Sequence, residues 1–124
     1  MVLFRRLAHT MPRKRTDLLQ GTLDMLILKV LTMGPMHGYA IARRIQQTTD
    51  DVLKVEEGSL YPALYRMAAR GLIESDWGTS DNNRRAKFYS LTTEGAKRLA
   101  EDVALWERFS RAAGQVLALQ PERS

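Results

Sequence analysis

The chain has 124 residues, of which 44% are hydrophobic and 27% are charged, so it can form one modest core with an extension. It has no cysteine, which excludes disulfides, thiolate metal sites and cysteine nucleophiles and predicts a cytoplasmic location. No apolar run approaches the roughly 18 residues of a membrane span. The formal net charge of +5 favours a polyanionic partner.

The basic charge lies at the N-terminus. Residues 1–16 contain five arginines or lysines and no acid, whereas basic and acidic side chains balance in residues 17–124. The segment lacks the roughly 7-to-15-residue apolar stretch of a secretory signal, and we expect a flexible basic arm. Residues 1–10, which precede a second methionine at Met11, are expected to be dispensable. Net charge alone does not identify the partner, because the rest of the chain is neutral.

Two helices are predicted in the first half of the chain. Apolar residues recur at helical spacing from Leu18 to Met33, and Gly34-Pro35 ends this first helix. A turn is predicted at residues 36–38. The following segment, YAIARRIQQTT, has apolar residues on one side and arginines and glutamines on the other, which predicts a second, shorter helix.

The third predicted helix runs from an N-cap at Ser59 to a glycine at Gly71. Pro62 would then lie in the first turn, where its missing N–H has no intrahelical partner to lose. Three apolar residues form the inward stripe: Leu60, Leu64 and Met67. The outward face then carries Tyr61, Pro62, Tyr65 and Arg66.

A β-hairpin is predicted next, because the segments LIESDW and RRAKFYSL flank the polar loop GTSDNN. Thr92-Thr93-Glu94 marks the start of a last helix that continues to about Leu119. Three helices, a hairpin and a long helix follow the order of an extended winged helix-turn-helix. The predicted fold is mainly α with a small β-hairpin. It comprises an arm at 1–16, a winged helix-turn-helix at 17–91 and a C-terminal dimerisation helix at 92–120.

In a winged helix-turn-helix the third helix enters the DNA major groove and the hairpin lies along the backbone. Two outward tyrosines beside Arg66 favour this role over the ordinary alternative, in which they only cover the edge of the core. Three cations follow a pair of asparagines in the hairpin, where they are predicted to contact phosphates: Arg84, Arg85 and Lys87.

The chain contains, in this order, LLQGTLDMLILKVL, HGYAIARRIQ, GSLYPALYRMAARGLI and RRAKFYSLTTEG. These stretches resemble the motifs of the PadR-type transcriptional regulators, specifically the short members with one C-terminal helix. The resemblance spans about residues 17–117, and four linked motifs are more specific than any one. It implies a winged helix, a dimer built by the C-terminal helix, and transcriptional repression that a small molecule relieves.

Carried over position by position, the resemblance implies DNA contacts at Ser59, Tyr61, Pro62, Tyr65, Arg84, Arg85 and Lys87. Tyr39 belongs to the matching HGYAI motif, and both a phosphate contact and packing of the second helix on the first are open for it. Larger members of the family have several more helices where this chain stops, so their effector pocket is not implied here.

The last predicted helix carries an apolar stripe at 3- and 4-residue spacing, made by Leu99, Val103, Trp106, Phe109, Ala113 and Val116. Such a face left in water is a liability, and a second copy of the chain is expected to cover it. A symmetric pair would present two recognition helices to successive major grooves. Trp106 is expected at the centre of the interface, with a flat-ligand effector site as its second role.

No catalytic, cofactor or metal site is predicted. The two histidines, His9 and His37, lie far apart in sequence, and the acidic pairs Asp50-Asp51 and Glu56-Glu57 are expected to be solvated. The leading hypothesis is a homodimeric repressor on an inverted-repeat operator, and the alternative is a winged-helix module that binds a protein. Salt dependence separates these two, because duplex binding releases counterions. The sequence leaves open the operator, the regulated genes, any effector, repression against activation, and a start at Met1 or Met11.

Overall fold

The computed structural model of the protein describes residues 11–122, with side chains from residue 21 onward. In this part of the chain four helices and three strands follow one another as α1 (Met11–Leu31), β1 (Met36–His37), α2 (Gly38–Thr48), α3 (Glu57–Ala69), β2 (Ile73–Thr79), β3 (Arg85–Leu91) and α4 (Thr93–Leu117). The predicted class, mainly α with a small hairpin and a long C-terminal helix, is confirmed.

The first helix starts earlier than predicted. It begins at Met11, so residues 11–16 of the expected flexible arm are helical, and residues 1–10 lie outside the described residues. Its end is tightened by successive i→i−3 bonds, the last from Gly34 N–H to the Leu31 carbonyl oxygen at 3.2 Å. Gly34 then takes a φ of +130°, which a residue without a Cβ adopts readily. Among residues 11–122, no helix combines the length and apolar character needed to cross a membrane.

The start of α3 corrects the predicted cap. Glu56 is the N-cap residue, and its carbonyl oxygen accepts hydrogen bonds from Ser59 N–H at 3.0 Å and Leu60 N–H at 2.9 Å. Ser59 is therefore a residue of the first turn, and Pro62 lies inside the helix, where it cannot donate to the carbonyl oxygen of Gly58. The acid Glu57 in the first turn favours this earlier start, because a negative charge stabilises the positive end of the helix dipole.

Residues 36–37 form a strand and not the predicted turn. The sheet is antiparallel in the order β1-β3-β2, with Met36 opposite Tyr89 on one side of β3 and Trp77 opposite Lys87 on the other. A two-stranded hairpin would leave one edge of β3 unpaired, and β1 satisfies part of that edge. His37 then caps α2, since its Nδ1 accepts a hydrogen bond from Ala40 N–H at 3.3 Å.

The core lies between the first three helices and the base of the sheet. The predicted inward stripe of α3 is confirmed, because Leu60, Leu64 and Met67 are all buried. They pack with apolar residues of every helix and of β2 and β3, namely Met25, Ile27, Leu28, Leu31, Ile41, Ile45, Ala63, Leu72, Ile73, Tyr89 and Leu99. Burial of this one cluster holds α3 at a fixed angle to the sheet.

The last helix begins against β2 and then leaves the domain. Thr92 caps it, with Oγ1 accepting from Gly95 N–H at 3.0 Å and lying 2.9 Å from the Leu72 carbonyl oxygen. A Cβ at Gly95 would overlap that same carbonyl oxygen, so only glycine allows this close approach. Leu99 is 8% exposed and Val103 packs on the core, so these two belong to the chain's own core. Most residues beyond Val103 are exposed.

Candidate nucleic-acid interface

The tip of the hairpin is a closed loop that fixes where the wing cations begin. Ser80 N–H donates to the Arg84 carbonyl oxygen at 2.8 Å, and Asn83 N–H donates to the Ser80 carbonyl oxygen at 2.8 Å. Asn83 has a φ of +60°, a left-handed conformation that asparagine tolerates better than most residues. The loop therefore delivers Arg84 and Arg85 side by side at the start of β3.

One face of the wing carries an exposed tryptophan between two cations. Lys87 lies directly opposite Trp77 across the hairpin, and Arg85 is opposite Thr79, so all four side chains share a face. The Arg85 Cζ is 4.7 Å from the Trp77 ring centroid and the Lys87 Nζ is 5.8 Å from it. Both distances fall within the range of cation–π contacts.

A second aromatic and cationic pair lies on α2. The Arg43 Cζ is 5.7 Å from the Tyr39 ring centroid, and Arg43 Nη1 lies 3.4 Å from the tyrosine hydroxyl. The His37 ring stacks on Tyr39 at 6.4 Å and meets Phe88 of β3 edge to face at 5.4 Å. His37 therefore links the start of α2 to the wing, as a capping and packing residue.

Tyr61 of α3 packs against the start of α2. Its ring lies so close to Gly38 that a Cβ there would be 2.8 Å from both Cε1 and the hydroxyl oxygen. Tyr61 keeps part of its surface exposed, while neighbouring Tyr89 is buried. Burial raises the pKa of Tyr89, and Tyr61 adds to this effect. The Tyr89 hydroxyl is therefore a neutral hydrogen-bonding group at physiological pH.

These elements enclose an open groove of about 1070 Å³ between α2, α3 and the wing. Its charged and large aromatic lining residues are Tyr39, Arg43, Arg44, Tyr61, Trp77, Asp81, Arg84, Arg85, Lys87 and Tyr89. Five cations and one acid face this space, so the groove carries a net positive charge. In the described part of the chain, no group of three or more His, Asp or Glu side chains is placed to hold a metal ion.

The groove joins five of the predicted site residues and leaves four outside. Tyr39, Tyr61, Arg84, Arg85 and Lys87 line it. The others lie elsewhere on α3, where Ser59, Pro62 and Tyr65 are exposed and Arg66 is half-buried. Tyr65, with 78% of its surface accessible, is the most exposed tyrosine on this helix.

Arg66 is turned toward the first helix. Its Nη2 lies 3.1 Å from Oδ1 of Asp24, and both side chains are partly buried. Burial raises the pKa of Asp24, while the Arg66 charge opposes that rise. This ion pair between α1 and α3 was not predicted from the sequence, because its two residues are 42 positions apart.

Sequence reasoning missed part of the lining. Arg43 and Arg44 were expected only to face water, and Trp77 was noted only as part of a strand. The signal for Trp77 was available, because the alternation of β2 and the short loop place it opposite Lys87. To predict that Arg43 and Arg44 line the groove, one needs the angle between α2 and the wing, which is a property of the tertiary structure.

The comparisons with known proteins agree with this geometry. The model of the transcriptional regulator PadR-like family matches residues 27–101. Similar solved structures include a transcriptional regulator from Clostridium thermocellum, which is 30% identical with a TM-score of 0.72 over 80% of this chain and 96% of that one. A PadR-like regulator from Bacillus cereus is 28% identical, with a TM-score of 0.71 over 84% and 99% of the two chains. A PadR family regulator from Eggerthella lenta is also 28% identical, with a TM-score of 0.70 over 97% and 100%. The chain therefore belongs to the PadR-like family of transcriptional regulators, as its motifs indicated, and is a regulator and not an enzyme.

Proposed function

We propose that this regulator binds operator DNA as a homodimer and represses transcription, with α3 in the major groove and the wing on the phosphate backbone. The observation that carries the proposal is the groove in which five cations face one acid, beside the helix that a winged helix-turn-helix inserts into DNA. A line of phosphates is the polyanion that fits an open, cationic groove of this kind.

The groove has cations on both sides. Arg43 and Arg44 lie on α2, whereas Arg84, Arg85 and Lys87 lie on the wing. Among the residues whose side chains are described, no carboxylate forms an ion pair with any of these five. Their charges are therefore available to phosphates, which would position the protein without reading the sequence.

Base contacts are assigned to the exposed face of α3. Ser59, Pro62 and Tyr65 lie in its first turns with their surfaces accessible, and Tyr61 joins this face to the groove. Arg66, which is paired with Asp24, holds α3 on α1, so we assign it to positioning the helix. The hydroxyls and the tyrosine ring are the groups that would meet base edges in the major groove.

The projecting part of α4 supplies the proposed dimer interface. The helix has 25 residues, a length of about 37 Å at about 1.5 Å per residue. Beyond the core residue Leu99, the large apolar residues of the predicted stripe remain exposed in a single chain, namely Trp106, Phe109 and Val116. The Trp106 and Phe109 ring centroids are 6.5 Å apart, so they form one apolar patch. A second copy would remove it from water.

A dimer bound to an operator that overlaps a promoter would block transcription. We assign repression, and not activation, because of the family resemblance. A role for Trp106 in binding a flat effector near the two-fold axis is secondary to its role in packing. Both copies would then be needed to complete the effector site, which couples any ligand to the separation of the two α3 helices.

Binding to the intergenic DNA upstream of the gene tests the proposal. We expect a duplex from this region, which should contain a short inverted repeat, to bind more tightly than a scrambled duplex of equal length in an anisotropy titration. The logarithm of the binding constant should fall linearly with the logarithm of salt concentration. Equal affinity for both duplexes at all salt concentrations, or no binding to either, would refute operator recognition and favour a protein partner.

A further inference from the structure

Trp77 is an exposed aromatic residue in the wing that the fold does not require. It has 57% of its surface accessible, although the same face of the hairpin becomes buried further down at Ile73 and Tyr89. Tryptophan and arginine are enriched in binding interfaces relative to the rest of a protein surface. In this structure the ring is next to Arg85 and Lys87, at 4.7 and 5.8 Å from its centroid.

We propose that Trp77 is a positioning residue of the DNA interface, whose indole ring holds Arg85 and Lys87 over the groove in a phosphate-binding arrangement. This inference rests on the proposed DNA-binding function. It adds a role for a side chain that reaches the DNA only through the two cations beside it.

The physical reason is preorganisation. Arginine and lysine side chains have many rotamers, and fixing them on a phosphate costs conformational entropy. A guanidinium stacked on a ring has already lost part of that freedom, yet its N–H groups point outward in its own plane and remain able to donate. The cross-strand register places Trp77 directly opposite Lys87 and one pair away from Arg85, so one ring serves both cations.

Arg84 offers the internal comparison. It lies next to Arg85 and lines the same groove, but it precedes β3, and of the described cations only Arg85 and Lys87 lie over the Trp77 ring. Thr79 offers a second comparison, because it is exposed on β2 directly opposite Arg85 and has no ring. Variants at these two positions change the wing without removing the proposed support.

The stacking is tested first without DNA. In NMR spectra of the intact chain, the side-chain protons of Arg85 should be shifted upfield by the ring current of Trp77. The shift should disappear in Trp77→Leu, persist at reduced size in Trp77→Phe, and remain unchanged in Thr79→Ala. Random-coil shifts for Arg85 in the unmodified chain would overturn the proposal whatever the protein binds.

The coupling to DNA is tested by a double-mutant cycle. Trp77→Leu should weaken binding of a random duplex about three- to tenfold, the range expected when about one further long side chain must be immobilised on binding. Trp77→Phe should recover most of this loss, and Thr79→Ala should bind like the unmodified chain. In an Arg85→Ala/Lys87→Ala background, Trp77→Leu should cause no further loss, because the groups that it positions are gone.

Other results of the cycle overturn the proposal. The same loss from Trp77→Leu in both backgrounds would make Trp77 a direct DNA contact, and no loss in the unmodified background would make it irrelevant to binding. Equal thermal unfolding midpoints of the variants exclude misfolding as the cause of a loss. Failure of the unmodified chain to bind any duplex is a different result, since it refutes the proposed function itself.

Discussion

The guanidinium of Arg66 on α3 lies 3.1 Å from the carboxylate of Asp24 on α1, and this ion pair joins the proposed recognition helix to the first helix. We expect Arg66→Ala to lower the free energy of unfolding by about 1 kcal/mol at pH 7, because it leaves a partly buried carboxylate without its partner. Urea denaturation at equal protein concentrations measures this loss. As a control, Lys97→Ala breaks an exposed pair within α4 and should cost less.

The same pair gives a pH dependence. Burial already raises the folded-state pKa of Asp24 above 3.8, and removal of the opposing Arg66 charge should raise it further. A carboxyl group with a raised pKa favours the folded state below its unfolded pKa and loses that contribution as the pH rises through the folded pKa. The cost of Arg66→Ala should therefore be smaller at pH 3 than at pH 7. An equal cost at both pH values would show that charge is not what links the helices.

The junction between β2 and α4 requires a residue without a side chain at position 95. Gly95→Ala should destabilise the protein by about 1–3 kcal/mol, because the added Cβ overlaps the carbonyl oxygen of Leu72. Gly21→Ala is the matched control, since a Cβ at this helical position meets no atom within 4 Å. It should be neutral or stabilise by up to about 1 kcal/mol. Thermal unfolding of both variants distinguishes the local clash from a general effect of replacing glycine.

Tyr65, the more exposed tyrosine of α3, is expected to contribute to recognition of the operator sequence. We expect Tyr65→Ala to weaken operator binding roughly tenfold and random-duplex binding much less, because major-groove contacts discriminate among bases whereas phosphate contacts do not. Tyr61→Ala should also weaken operator binding more than random-duplex binding. It removes the packing of this ring on Gly38 as well, so it should lower the stability of the protein. Tyr61→Phe retains that packing and isolates the hydroxyl. Equal losses on both duplexes would assign these tyrosines to the backbone or to packing.

Dimerisation is assigned to the projecting half of α4. Trp106 is 46% exposed in the single chain, so Trp106→Asp should leave the domain folded but bury a charge in the pair. Light scattering should then give the mass of a monomer, and operator binding should weaken. Glu101→Ala, on an exposed part of the same helix, should remain dimeric. A dimeric Trp106→Asp variant with full operator affinity would contradict the assignment.

The sequence predicted those features that depend on local periodicity. The inward stripe of Leu60, Leu64 and Met67 follows from helical spacing, and the wing follows from alternating residues around a polar loop. It failed where tertiary contacts decide. The strand at Met36–His37 exists because β3 offers an edge, and Leu99 is buried by its own domain although the stripe assigned it to the dimer. The predicted cap at Ser59 was wrong because an additional helical turn, with the favourable acid Glu57 in it, stabilises the helix more than a serine cap would.

The salt dependence of duplex binding, with and without Arg84 and Arg85, tests the central claim most directly. If the wing lies on the DNA backbone, replacing both arginines by alanine should weaken operator and random duplexes similarly. The plot of log K against log salt should also become shallower, by roughly one unit for each phosphate that the wing no longer neutralises. An unchanged slope and affinity in the double variant, measured beside the unmodified chain, would contradict the placement of DNA against this groove.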